Sequence, residues 1–310
     1  MAQAQFPTET DQSGAFVRQK SVFRQWVSAD GSSPFVAESG RYHLYVSLAC
    51  PWASRTIIFR KLKGLEDAIG MTVVDPVRDE RGWRFTSEHP DPVNGFEYLT
   101  ETYRLSDPGF DGRVTVPLLW DRQENTAVSN ESSEVIRMLN SEFNEWAGEP
   151  ELDLYPDELR DEIDQINERV YRSINNGVYR CGFASTQRAY EEAFIDLFEA
   201  LDWADGLLAG RRYLAGDRIT EADWRLFVTL TRFDAIYVGH FKCNQRRIAD
   251  YGNLSGYLRE LYQYPGIRET VDFDHIKRHY YVTHPGINPT QVVPMGPILD
   301  LDTPHGREFF

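Results

Sequence analysis

The chain has 310 residues, 41% hydrophobic and 13% aromatic, which is enough for two domains with ample core. Its formal net charge of −15 disfavours nucleic acid and anionic membrane surfaces as partners. No run of about 18 apolar residues exists, so no membrane span is predicted, and the polar stretch Met1–Ser13 lacks the apolar core of a signal peptide.

Three cysteines, Cys50, Cys181 and Cys243, lie far apart, which argues against a disulfide framework and for a reducing, cytoplasmic setting. Only Lys20, Lys61, Lys63, Lys242 and Lys277 are lysines, leaving arginine to supply the remaining basic residues. An acidic, lysine-poor surface suits a high-salt cytoplasm, and a GC-rich genome would give the same bias without physical selection.

Residues 1–40 carry little periodicity, although Phe16, Val17, Phe23 and Trp26 are placed to pin this arm onto a domain. Tyr42–Ser47 is rich in aromatic and β-branched residues and reads as a buried strand. Pro51 suits a first helical position, and Ile57, Ile58, Phe59 and Leu62 give the following helix a buried face. Cys50 therefore falls at the helix N-cap or just before it, where unpaired N–H groups and the helix dipole favour thiolate. Cysteines so placed titrate at roughly 3.5–7.5, against about 8.5 when free. Ala53 occupies the second-thiol position of a CxxC pair, so the chemistry expected is that of one thiol discharged by an external one. The alternative is a buried structural cysteine.

Met71–Val77 reads as a second strand, parallel to the first across a right-handed crossover. Arg78–Arg113, punctuated by glycine and proline, shows little regular pattern, but Trp83, Phe85, Phe96 and Tyr98 argue for an ordered insertion near a site. Val114–Trp120 reads as a strand that contains Pro117. Proline is disfavoured in a central strand, so a cis peptide just before an edge strand is expected, exposing the Val116 backbone to an extended ligand. A turn at Asp121–Asn125 and a return strand at Thr126–Ser129 lead to the polar cluster Ser129–Glu134, which opens a helix over Val135–Phe143. That opening reads equally as an anion site or as a simple cap.

Beyond a linker marked by Gly148 and Pro150, long helices are predicted at Pro156–Asn176, Ser185–Leu208, Thr220–Tyr237 and Leu254–Tyr262. Thr220 and Asp223 have capping-box spacing. The proline-rich tail from His284 should run extended over the surface or be mobile. His275 and His279, with Asp272 and Asp274 beside them, supply too few convergent ligands for a metal, and Cys181 and Cys243 fall in helical stretches as structural residues. No nucleophile elbow, P-loop or dinucleotide fingerprint occurs.

A βαβ unit with a CPxA cysteine, a Thr-Val-Pro strand, a Glu-Ser helix start and a helical second half resembles the glutathione transferase fold. That fold is α/β plus all-α: a thioredoxin-like domain followed by an all-helical C-terminal domain. Cys50-Pro51-Trp52-Ala53 with Arg55, Lys61–Leu65, Asn176–Ala184, Arg232–Asn244 and His279-Tyr280-Tyr281 resemble the glutathionyl-hydroquinone reductases, the Xi class of that superfamily. The resemblance implies an arm (1–40), a thiol-binding domain (41–145, insertion 78–113), a helical domain (150–284) and an extended tail (285–310).

It also implies an activity. Cys50 would take glutathione from a glutathionyl-hydroquinone as a mixed disulfide, and a second glutathione would release it as oxidised glutathione. Tyr179, Tyr237 and Tyr280 match positions assigned to the aromatic substrate, although each alone reads more simply as a core tyrosine. Val116, Glu131 and Ser132 match contacts to the γ-glutamyl thiol, and Trp83 and Arg84 are secondary candidates. Glutathione is then a co-substrate, no metal is expected, and a homodimer is implied. In a halophile the small thiol would be γ-glutamylcysteine. The competing functions are an Omega-type thioltransferase or dehydroascorbate reductase, and a non-catalytic binding module on the same fold.

Overall fold

The computed structural model describes residues 9–310, so most of the polar leader Met1–Ser13 lies outside the described residues. The chain divides into two compact units. Unit 1 comprises Gln19–Asp153 and Glu269–Gln291; unit 2 comprises residues 9–18, Leu154–Arg268 and Val292–Phe310.

Unit 1 opens with two-residue strands β1 (Val27–Ser28) and β2 (Phe35–Val36), paired in parallel. Its main sheet has the order β4-β3-β5-β6. Strand β3 (Tyr42–Val46) is buried along its whole length, which explains why Tyr42, Leu44, Tyr45 and Val46 do not alternate with exposed polar residues; its one polar side chain, His43, is bonded to Thr72 (2.8 Å). It pairs in parallel with β4 (Gly70–Val73), Leu44 opposite Met71, and antiparallel with β5 (Leu118–Asp121), Leu44 opposite Leu119. Strand β6 (Thr126–Ser129) closes the sheet beside β5. Helices α1 (Pro51–Leu62) and α3 (Ser132–Ser141) pack against each other.

Strand β4 ends at Val73 rather than Val77, because the Asp75 N–H turns away to the Arg84 carbonyl (2.9 Å). The peptide before Pro117 is cis as expected, but β5, which begins only after it, is an inner strand between β3 and β6 and not the edge strand expected. The 78–113 insertion is ordered and contains a helix the sequence did not announce, α2 (Leu99–Ser106). Buried Asp91 fastens its loop by accepting from the Tyr45 hydroxyl (2.8 Å) and the Val93 N–H (3.0 Å). At the end of α1, buried Lys63 donates to the carbonyls of Pro150 (3.2 Å) and Leu152 (2.7 Å). Gly64 follows in the left-handed region (φ 62°), and a Cβ there would lie 3.0 Å from the Gly148 Cα. Of the arm's four expected anchors, Phe16 is buried and Phe23 packs on Tyr103 at 5.4 Å. Val17 and Trp26 are exposed, and Val27 takes the interior place instead.

Unit 2 is helical: α4 (Arg160–Arg169), α5 (Gly177–Phe183), α6 (Gln187–Leu207), α7 (Glu221–Arg232) and α8 (Leu254–Tyr262). The helices expected over Pro156–Asn176 and Thr220–Tyr237 are shorter, because each passes into a π-helical turn, at Val170–Asn175 and Phe233–Tyr237. Cys181 lies on α5 as expected, but Cys243 sits in irregular chain; both are buried. The tail is irregular and anchored. Buried Arg307 pairs with Glu260 (3.1 Å) and donates to the carbonyls of Arg211 (2.9 Å) and Arg212 (2.7 Å). The chain then contributes one more helix to unit 1, α9 (Phe273–Thr283), a stretch the sequence reading had grouped with the helical domain. Among the described residues no helix is long and apolar enough to cross a membrane.

The capping box of α7 forms as its spacing predicted. Wholly buried Asp223 accepts from the Thr220 N–H (2.8 Å), the Leu214 N–H (2.9 Å) and the Tyr257 hydroxyl (2.7 Å). Replacing Asp223 by alanine leaves these donors buried and unbonded, and is expected to cost about 2–4 kcal/mol in urea unfolding.

Two histidines make the fold acid-sensitive. Burial pushes both His43 and His240 down to about 4 from 6.5. Each is neutral when folded, while the unfolded chain gains a proton as the pH falls below 6.5. Stability is therefore complete above pH 6.5 and declines as pH falls towards 4, by about 2 kcal/mol per histidine between pH 7 and pH 5. Urea unfolding of the wild type against His43→Gln at the two pH values checks this. The variant should lose less on acidification.

Candidate active site

The loop between β3 and α1 fixes the Cys50 sulfur. The Cys50 N–H donates to the Ser47 carbonyl (3.1 Å), and the Cys50 carbonyl accepts from the Ser54 N–H (2.9 Å) as the first turn of α1 forms. Cys50 is the N-cap, extended at φ −79° and ψ 121°, with Pro51 entering the helix after it. Its side chain does not cap the helix. The half-buried thiol instead points across to the Val116 carbonyl, 3.4 Å away, immediately before cis-Pro117. Ala53 is buried, with no sulfur of its own to offer.

One turn into α1, Arg55 lies under the Trp52 ring (4.6 Å) and reaches Ser132 at the head of α3 with Nη1 3.5 Å from Oγ. Glu131 is the N-cap of α3. Its carboxylate accepts from the Ser133 N–H (3.1 Å), the Ser133 hydroxyl (2.7 Å) and the Ser21 hydroxyl (2.9 Å). Burial opposes the charge on Glu131. The hydrogen bonds from Ser133 and Ser21, with the Arg55 guanidinium, outweigh it, and the carboxyl stays below its ordinary 4.5. The cap therefore holds a fixed negative charge beside the N–H groups that open α3. Cys50, Val116, Glu131 and Ser132, separated by up to 82 positions in sequence, are thus joined through direct contacts and through α1 within unit 1.

The secondary candidates occupy different surroundings. Trp83 is buried, its ring stacked on His279 (5.0 Å) with the Arg78 guanidinium also over it (5.1 Å). Arg84 is half-exposed and pairs with Asp75 (2.9 Å). His279 Nδ1 lies 2.7 Å from the Pro76 carbonyl, which anchors α9 to the stretch after β4; no cluster of three metal-ligating side chains occurs among the described residues. Tyr280 follows on α9, buried, its ring edge-on to His279 and His284.

Tyr179 and Tyr237 belong to unit 2. Tyr179 is half-buried on α5, and Tyr237 is fully buried in the π turn after α7. Their rings lie 6.1 Å apart, and each meets Phe241 at 5.5 Å. Sequence reasoning missed Ser21, His279 and Arg18, the last lying over the Tyr179 ring at 4.6 Å. A serine and an arginine in an aperiodic arm carry no signal of where they dock. His279 stood out as part of the His-Tyr-Tyr run and as a weak metal-ligand candidate beside His275, neither of which signals its stack on Trp83.

A sulfur at a helix head facing the carbonyl before a cis-proline, with an acid-capped second helix alongside and a helical second unit, is the arrangement of the glutathione transferase fold. Two family models agree: glutathione S-transferase N-terminal domain over residues 49–142 and glutathione S-transferase C-terminal domain over residues 187–260. The chain is 51% identical over 305 residues to glutathionyl-hydroquinone reductase YqjG of Escherichia coli, covering 95% of this chain and 93% of that protein. Among solved structures, an Xi-class glutathione transferase from Natrialba magadii superposes with a TM-score of 0.91 at 53% identity, covering 93% of this chain and 89% of that one. The glutathione-bound structure of YqjG gives 0.90 at 51% identity, covering 92% and 96%. The chain belongs to the glutathionyl-hydroquinone reductases, the Xi class of glutathione transferases.

Proposed function

We propose that this protein removes glutathione from glutathionyl-hydroquinones through a Cys50–glutathione mixed disulfide. The observation that carries the reading is the single thiol at the head of α1, aimed at the Val116 carbonyl, with Ala53 where a resolving cysteine would stand. Cys50 thiolate attacks the thioether sulfur. The carbon–sulfur bond breaks, its electron pair goes to the ring carbon, and that carbon takes a proton, giving the hydroquinone and a Cys50–S–S–glutathione bond. The thiolate of a second glutathione attacks this bond and leaves as oxidised glutathione, returning Cys50 as thiolate.

The ring carbon is a poor leaving group, so a proton donor at the ring is required. The phenols of Tyr179 and Tyr280 supply the donor, and Tyr237 supports the aromatic surface. The Val116 backbone pairs with the thiol peptide. The Glu131 carboxylate receives the γ-glutamyl amine, and Ser132 with the N–H groups opening α3 receives its carboxylate. Trp83 and Arg84 serve the remainder of the peptide. Because the γ-glutamyl end is common to both, γ-glutamylcysteine fits the same contacts and is the alternative thiol if the acidic surface reflects a halophilic source. The setting is cytoplasmic and the assembly a homodimer, no metal takes part, and nucleic acid and membrane are not partners.

The test is turnover of glutathionyl-menadiol, with menadiol and oxidised glutathione as products and mass spectrometry showing a glutathione adduct on Cys50. Reduction of simple mixed disulfides without reduction of the aryl thioether would replace this reading by an Omega-type thioltransferase. Inactivity on both substrates, with the fold intact, would leave a binding module.

A further inference from the structure

We infer that Arg18 is a positioning residue for Tyr179, holding its ring and favouring release of its phenolic proton. The inference rests on the proton-donor role proposed for Tyr179. The stretch that carries Arg18 belongs to unit 2 and is fastened there just before Phe16. The Ser185 N–H donates to the Gly14 carbonyl (2.9 Å), and the Thr186 hydroxyl donates to the Ser13 carbonyl (2.8 Å). Gly14 makes this approach possible: it sits at φ 84°, and a Cβ there would lie 2.6 Å from Thr186 Cγ2. Phe16 is buried against Phe183 at 5.4 Å, and Phe183 in turn stacks on Tyr179.

So delivered, the Arg18 guanidinium lies 4.6 Å from the Tyr179 ring centroid, and its Nε donates to the Asn176 side-chain oxygen at 2.9 Å. Asn176 immediately precedes α5, on which Tyr179 stands, so one arginine grips both the start of the helix and the ring it presents. A cation over a phenol face is attracted by the ring quadrupole, and more strongly once the ring carries phenolate charge. Its contribution therefore grows as the proton leaves, which is the direction of change as the arene is protonated. The Tyr179 ring also meets Phe183, Phe241 and Tyr237, all uncharged at neutral pH, and neighbouring Arg180 is paired with Asp196 (2.9 Å). Arg18 thus puts a cation over the phenol ring.

The test compares Arg18→Met, Arg18→Lys and Tyr179→Phe on glutathionyl-menadiol and on a simple glutathione mixed disulfide. Arg18→Met should lower kcat on the thioether about 5- to 20-fold, leave KM for glutathione within about twofold, and leave disulfide exchange unchanged. It should also raise the solvent deuterium isotope effect on kcat, as proton donation becomes more limiting. Arg18→Lys keeps the charge and should recover at least about a third of the lost rate. Equal losses on both substrates, an unchanged isotope effect, or no difference between lysine and methionine would overturn the positioning role. If Arg18→Met loses helical circular dichroism, Arg18→Lys carries the isotope-effect readout by itself, and a wild-type value at reduced kcat counts against the inference. Should Tyr179→Phe reduce the thioether at the wild-type rate, it is the proton-donor reading that fails. Loss in Tyr179→Phe with wild-type behaviour in Arg18→Met would sink the Arg18 inference alone.

Discussion

Replacing Cys50 by serine is expected to lower kcat/KM on glutathionyl-menadiol by at least about a thousandfold, into the background of the assay. The hydroxyl occupies the same N-cap position, facing the Val116 carbonyl at the head of α1. Serine there is a good N-cap residue, so the fold and its unfolding midpoint should be preserved. What disappears is the nucleophile. An alkoxide is not populated near neutral pH, and oxygen cannot form the disulfide that the second glutathione must attack. Neither other cysteine can substitute, since Cys181 and Cys243 are buried in unit 2 and burial pushes the Cys243 thiol up. Steady-state kinetics with mass spectrometry of the intact protein check the outcome. Appreciable turnover in the serine variant would exclude the covalent route.

The second large effect separates the two halves of the reaction. Tyr179→Phe should reduce thioether cleavage by about 10²-fold while slowing exchange with a simple mixed disulfide less than threefold. The asymmetry follows from the leaving groups. A thiolate departs from a disulfide unaided, whereas a departing aryl carbon must receive a proton. Phenylalanine keeps the contacts of the ring with Tyr237 and Phe241, so packing is held constant while the O–H is removed. Parallel measurement on both substrates is decisive. Equal losses on the two would make Tyr179 a packing residue, consistent with the aromatic cluster around it.

The scaffold around the sulfur was largely legible because local chemistry dictated it. A short, largely aromatic and aliphatic run closed by the Cys-Pro helix start reads as a buried strand, and β3 is buried throughout. Pro117 argued against a central strand and for a cis peptide; the cis peptide is there, but β5 is an inner strand after all, which tolerates the proline because it starts only at Leu118. Thr220 and Asp223 had the spacing of a capping box and form one. Helix α2 escaped because just three of its residues, Leu99, Thr102 and Tyr103, are buried, too few to raise a period above the flanking glycines and prolines. The π turns were invisible for a related reason: one extra residue per turn leaves composition unchanged. Trp26 misled as an anchor because an aromatic residue signals burial only on average, and here the smaller Val27 is the one turned inward. The assignment of α9 to the thiol-binding unit depends on contacts such as His279 with Pro76, more than two hundred residues apart, which no local pattern encodes.

The methyl side chain of Ala53 sets how such an enzyme behaves when reductant runs short. With no neighbouring sulfur to collapse onto the adduct, the loaded state waits for whatever thiol the cell can spare, and its occupancy rises as that reserve falls. The waiting state is also a protected one, since a sulfur already capped by a tripeptide is shielded from the irreversible steps to sulfinic and sulfonic acid. Oxidative stress would then park the catalyst instead of destroying it, and activity would return as soon as the reserve is replenished.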